Sequence, residues 1–150
     1  MSAELIAAES ARQAIHGADI VCATTTSKTP VFDDSDLSPG VHINAVGSYT
    51  PQAREIPGET VARAAVYVDS REAAWSEAGD LIQPWEAGLI TRDHVRAELG
   101  ELISRPELGR TSDDQITFFK SVGIAVQDAM AAQCALRNAA KLGLGTTVPW

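Results

Sequence analysis

The sequence predicts an α/β fold. Short apolar runs of strand character recur at residues 18–24, 41–46, 64–68 and 115–119. Helical or polar segments separate them, the alternation expected of strands that pack under helices. The last stretch, from Val122 to Ala140, carries apolar residues at helical spacing and is the strongest helix signal in the chain.

The elements follow in order. Leu5, Ala8, Ala11 and Ile15 share one face of an N-terminal helix, and Gly17 stops it before the strand ADIVCAT at 18–24. Thr24, Thr25, Thr26 and Ser27 then form a loop rich in hydroxyls and main-chain amides. Asp33 to Asp36 and Ser38-Pro39-Gly40 connect to VHINAV at 41–46, whose apolar pattern runs into Gly47 and a polar turn ending at Pro51. Such a turn is expected at the carboxyl edge of a ligand-binding α/β sheet.

Pro57-Gly58 precedes a short helix over 59–63, and AAVYV at 64–68 makes the third strand. Asp69 or Ser70 caps a helix over 71–78, which Gly79-Asp80 ends. Residues 81–103 read as short helices and loops, with Thr91 capping a helix at 94–99. After the polar connection around Arg105, Gly109 and Asp113, a fourth strand at 115–119 leads to Lys120-Ser121 and Gly123. In the final helix Val122, Ala125, Val126, Ala129, Gln133, Leu136 and Ala140 align on one face, and Gly143 supplies the stop.

One domain is the default for 150 residues. A formal charge of -8 without a dense Lys/Arg stripe excludes a general nucleic-acid surface. No apolar run is long enough for a spanning helix, and the acidic N-terminal stretch is unlike a secretory signal, so no membrane role and a cytoplasmic location are expected. Two cysteines do not make a disulfide framework; Cys22 and Cys134 read as buried free thiols. No compact His/Cys/Asp constellation specifies a metal.

Four blocks carry a further signal: GADIVCATTTSKTPVF at 17–32, GVHINAVGSYTPQAREI at 40–56, VYVDSREAAWSEAGDL at 66–81 and TFFKSVGIAVQDAMAA at 117–132. In this order they resemble the C-terminal half of the ornithine cyclodeaminase and mu-crystallin family. The resemblance implies a partial Rossmann-like nucleotide-binding domain at 1–120 and, at 121–150, a C-terminal helix and tail returning toward a substrate and dimerisation domain. It also implies a homodimer using NAD or NADP. Family members are about twice as long, and the glycine-rich phosphate turn and its acidic ribose partner have no counterpart here. The expectation is a fragment that begins after the first βαβ unit, with cofactor binding and activity belonging to the intact family fold.

By the same resemblance, Thr24 and Thr25 fall near the nucleotide, with Thr26 in the same run. Asn44, Ala45 and Val46 approach the nicotinamide through main-chain groups, and Ser121, Val122 and Gly123 form the second edge of that pocket. Tyr49 stands where the cyclodeaminases carry Asp. A carboxylate can hold an ammonium group or move a proton, whereas a neutral phenol is no ready base near neutral pH. Tyr49 and Lys120 are therefore pocket candidates without an assigned catalytic role. Lys120 reads first as an exposed ionic residue at a strand end and second as a group acting on a substrate carboxylate.

The expected function is NAD(P)-dependent hydride exchange with a small amino acid or cyclic imine. Ornithine cyclodeamination is one alternative. A non-catalytic ligand-binding or structural protein is the other, since the resembled family includes a lens and hormone-binding protein.

Overall fold

The computed structural model describes residues 3–146 and Val148. Five parallel strands form one sheet: β1 (Ile20–Ala23), β2 (His42–Ala45), β3 (Ala65–Val68), β4 (Val95–Glu98) and β5 (Thr117–Lys120), in spatial order β1-β2-β5-β3-β4. The last strand inserts between β2 and β3. Parallel strands need crossovers, and these are supplied by α2 (Gly58–Arg63), α3 (Arg71–Glu77), α4 (Gly79–Glu86) and α5 (Leu99–Ser104), with α1 (Ala11–Ile15) before the sheet and α6 (Ala125–Leu142) after it.

Register builds the core. Val21, Ile43, Phe118 and Val66 stand in one row across the sheet, and Ala23, Ala45, Lys120 and Val68 in the next. All eight are buried, as are Val61, Ala74, Ala78 and Leu81 from the helices. The opposite face carries Cys22, Asn44, Phe119 and Tyr67 in a more open row, and the Tyr67 hydroxyl donates to the Leu108 carbonyl.

Several expectations need correction. The N-terminal helix is confined to five residues capped by Ser10, and Leu5 lies outside it, exposed; so short a helix is marginal without an apolar partner surface. Gly79-Asp80 opens α4 instead of ending a helix. Residues 95–98, expected as helix, form β4: Val95 and Ala97 are buried and Arg96 and Glu98 half-buried, a two-residue period that the sequence Val-Arg-Ala-Glu already contained. The sheet thus has five strands where four were expected. Cys22 and Cys134 are both exposed, because one lies on the open sheet face and the other on α6.

The stop of α6 is as the sequence indicates. Gly143 adopts φ 64°, and the Leu144 N–H donates to the Ala139 carbonyl at 2.9 Å. The expected apolar face does not pack within the chain: no residue of α6 is buried, and Val126, Met130, Leu136 and Leu142 are exposed. No described helix is long and apolar enough to cross a membrane.

Glu101 sets an acid-sensitive contact at the far end of the sheet. Its carboxylate accepts from the Glu98 N–H at 2.8 Å and from Arg71 and Arg105 at 2.5 Å each. The Glu98 amide first, then Arg71, hold its carboxyl below the usual range. A depressed folded value contributes stability that is complete above the unfolded value and lost as pH falls through the folded one. Glu101→Gln is therefore expected to lower the thermal midpoint at pH 7 and to leave it nearly unchanged in strong acid. An equal loss at both pH values in a thermal melt would contradict this linkage.

Candidate functional site

In a parallel sheet all carboxyl ends share one edge, and here that edge gathers the turns after β1, β2, β3 and β5. Two direct backbone bonds fasten the central ones: the Val46 N–H donates to the Ala23 carbonyl at 3.0 Å, and the Ser121 N–H to the Ala45 carbonyl at 3.1 Å. Thr24 and Thr25, Val46, and Ser121 to Gly123 are thus brought together by the strand order.

Three buried acids determine how these turns are held. Glu55, from the connection after β2, is fully buried; its Oε1 accepts from the Thr25 N–H at 2.5 Å. Its Oε2 accepts from the Gly47 and Ser48 N–H groups at 2.9 and 3.1 Å. One carboxylate therefore bridges the β1 and β2 turns. Gly47 permits the approach, since a Cβ there would stand 2.1 Å from the Thr25 carbonyl oxygen.

Asp80, in the first turn of α4, is the second buried acid. It accepts from the Ser48 hydroxyl, and from the Glu55 and Ile56 N–H groups at 2.7 and 2.9 Å. Its other partner is Lys120, whose Nζ lies 3.2 Å from Oδ2 and also donates to the Ser48 carbonyl at 2.5 Å and hydroxyl at 3.0 Å. Both side chains are wholly buried, so Lys120 is neither an exposed strand-end charge nor open to a ligand. Ala45 beside it in the register row, with Ala23 beyond, leaves space for the long side chain. The pairing answers the penalty of removing an ammonium group from water.

The third acid is Asp69, at the end of β3. Its Oδ2 accepts from the Ser121 hydroxyl at 2.7 Å and from the Val122 and Gly123 N–H groups at 3.1 and 2.8 Å. Helix capping falls to Ser70, whose hydroxyl accepts from the Ala73 N–H. The Val122 and Gly123 amides, expected to face a cofactor, are consequently occupied inside the protein.

The side chains of Thr24, Thr25 and Thr26 are all exposed at this edge, together with Val46 and Tyr49. A Cβ added at Gly123, φ 83°, would touch nothing within 4 Å, so open space adjoins that turn. Asn44 and Ala45 contribute differently from the rest. The Ala45 methyl is buried, and the Asn44 side chain lies on the other sheet face, where its Oδ1 meets His42 Nε2 at 3.3 Å. His42 Nδ1 also pairs with Thr117 Oγ1 at 2.8 Å. A cavity of about 280 Å³ adjoins that opposite face, lined by His42, Asn44, Tyr67, Leu99, Leu102 and Phe119. A wider cavity of about 490 Å³ lies beside Ser10, Arg12, Phe32 and Asp36, and none of Thr24, Thr25, Val46, Tyr49 or Gly123 lines it. Among the described residues no group of three His, Cys, Asp or Glu could hold a metal ion.

Sequence reasoning missed Glu55, Asp80 and Ser48. A signal for Lys120 was present, since it stands two residues beyond Phe118 and therefore on the core face of β5. A buried lysine implies a buried acid, but nothing local to Asp80 identified it as that acid.

The profile of the "Ornithine cyclodeaminase/mu-crystallin family" matches residues 1–142. Delta(1)-pyrroline-2-carboxylate reductase of Bacillus cereus is 45% identical over 140 residues, covering 93% of this chain and 43% of the relative. Ketimine reductase mu-crystallin of Mus musculus is 40% identical over 124 residues, covering 83% of this chain and 37% of the relative. Among solved structures, Delta(1)-pyrroline-2-carboxylate reductase of Thermococcus litoralis, in complex with NADH and L-proline, superposes with a TM-score of 0.86 at 41% identity, covering 94% of this chain and 44% of that one. The chain thus spans under half the length of these relatives. A match over nearly all of its residues, in sequence and in fold, places this chain in the ornithine cyclodeaminase/mu-crystallin family.

Proposed function

We propose that this chain forms the nicotinamide side of an NAD(P)-dependent oxidoreductase acting on a cyclic imino acid or small amino acid, with Δ1-pyrroline-2-carboxylate the leading substrate. The observation that carries the reading is the similarity over 94% of the chain to a reductase solved with NADH and L-proline. The geometry fits a dinucleotide's planar end: small residues bring the β1 and β2 turns into contact, and open space lies beside Gly123. The nicotinamide, when bound, supplies or takes up the hydride.

In this reading the main chain at Asn44, Ala45 and Val46 and the turn Ser121, Val122, Gly123 flank the ring, while Thr24 and Thr25 offer hydroxyls to the nucleotide. The three buried acids fix these groups before binding, which reduces the ordering needed at the moment of reaction. Tyr49, exposed beside the turn, favours imine reduction over cyclodeamination, because it provides no carboxylate for the departing ammonium group. Residues 1–120 act as the nucleotide-binding unit, and residues 121–150 lead toward a substrate and dimerisation region. The uncovered apolar side chains of α6 support a homodimer.

A chimera in which residues 1–142 replace the matched segment of the Bacillus cereus reductase is expected to bind NADH or NADPH saturably by tryptophan fluorescence. It is also expected to reduce Δ1-pyrroline-2-carboxylate with concurrent loss of absorbance from the reduced nicotinamide. A folded chimera that binds neither nucleotide and gives no turnover would reject the proposal.

A further inference from the structure

We infer that Glu55 is a positioning residue that makes the turns after β1 and β2 move as one unit and so fixes the side of the ring-binding gap they share. The inference rests on the cofactor reading above, but its structural basis is independent of any ligand. Each oxygen of the Glu55 carboxylate serves a different turn: Oε1 the Thr25 amide, Oε2 the Gly47 and Ser48 amides. Gly47 brings the two backbones too close for any other side chain to stand between them. Without the carboxylate, three buried or half-buried amides lose their acceptor, and direct backbone bonding between the turns is reduced to Val46 on Ala23.

Glu55 does not itself reach the exposed rim. It is wholly buried, and its own N–H is held by Asp80 at 2.7 Å. That anchor matters, because Asp80 also binds Ser48 and Lys120 and thereby refers the clamp to β5. The turn after β5 has a separate acid, Asp69, on Val122 and Gly123. The edge thus has two acids on different turns, Glu55 on those after β1 and β2 and Asp69 on the one after β5, joined through Lys120 and the Ser121-to-Ala45 bond.

Glu55→Gln distinguishes this from a general packing role. The side chain keeps its size, but an amide offers one acceptor oxygen where the carboxylate offers two, and its NH2 must face a backbone N–H on one turn. Hydrogen exchange of the 150-residue chain, read by NMR, is expected to accelerate by about 10-fold or more at the amides left facing the NH2, Thr25 on one turn or Gly47 and Ser48 on the other, the scale of a lost charge-assisted bond. Val122 and Gly123 should exchange as in the unsubstituted chain, and the Bacillus cereus chimera carrying Glu55→Gln should bind NADH about 10-fold more weakly than the unsubstituted chimera.

Each outcome decides something. Acceleration spread equally to Val122 and Gly123 means a global loss of stability and overturns the inference. Unchanged NADH affinity in the Glu55→Gln chimera, with binding intact in the unsubstituted chimera, overturns the positioning role and leaves the cofactor reading standing. Absence of NADH binding in the folded unsubstituted chimera removes the cofactor reading and the positioning role together.

Discussion

Lys120→Met will destabilise the protein by about 3–5 kcal/mol, the range found when one partner of a buried ion pair is removed. The ammonium group lies in a dry row between Ala45 and Val68, with three acceptors around it: Asp80 Oδ2 and the carbonyl and hydroxyl of Ser48. Methionine matches the stem in size and fits the apolar row, so the loss comes from the polar end. Asp80 would keep the Ser48, Glu55 and Ile56 donors but lose its only cation among the described residues.

A double-mutant cycle isolates the pair. Asp80→Asn alone leaves the lysine buried without a counter-charge, and the two substitutions together remove both charges. The double variant is expected to be less destabilised than the sum of the singles by at least about 1 kcal/mol, because contacting residues in one network do not add. Urea unfolding measures all four forms. Additive losses, or a Lys120→Met midpoint within about 0.3 M of the parent at typical urea slopes, would show that the pair contributes little.

The outer frame of this molecule was legible because strands and long helices advertise themselves by period. Residues 41–46 and 64–68 were read nearly to their observed ends, and Gly143 was read as the stop of α6. β4 was not, since four residues bounded by short helices satisfy either period, and only pairing with β3 decides between them. The turns at the sheet edge were legible as places where a backbone changes direction. What holds them was not: Thr25 and Glu55 are 30 residues apart, and Lys120 and Asp80 are 40 apart in the numbering, so each contact exists only through the strand order.

That difference extends to function. The amides of Val122 and Gly123 look available in a sequence that ends a strand with Ser-Val-Gly, yet Asp69 holds both. These two amides are therefore spent on rigidity, and the exposed groups left at this edge include the Thr24, Thr25 and Thr26 hydroxyls. The exposed apolar side of α6 has a parallel explanation. Its period marks a surface to be covered, but period alone cannot identify whether the covering comes from the same chain.

Gly47→Ala will destabilise the protein by about 3 kcal/mol or more. The new Cβ would meet the Thr25 carbonyl oxygen at 2.1 Å, the Thr25 nitrogen at 2.4 Å and Glu55 Oε1 at 2.6 Å. Two of these neighbours are backbone atoms of the adjoining turn, which cannot rotate away as a side-chain end can. Relief requires the β1 and β2 turns to separate, and separation breaks the Glu55 bridge that joins them. The overpacking term and the lost hydrogen bonds therefore act together. Gly100→Ala is the matched control: its Cβ enters open space within α5, and replacing a helical glycine is expected to stabilise by about 0.5–1 kcal/mol. Thermal and urea unfolding of both variants give the comparison. A Gly47→Ala protein with parental stability would mean that the β1 and β2 turns have slack at their closest point, and that the Glu55 bridge does not hold them rigidly.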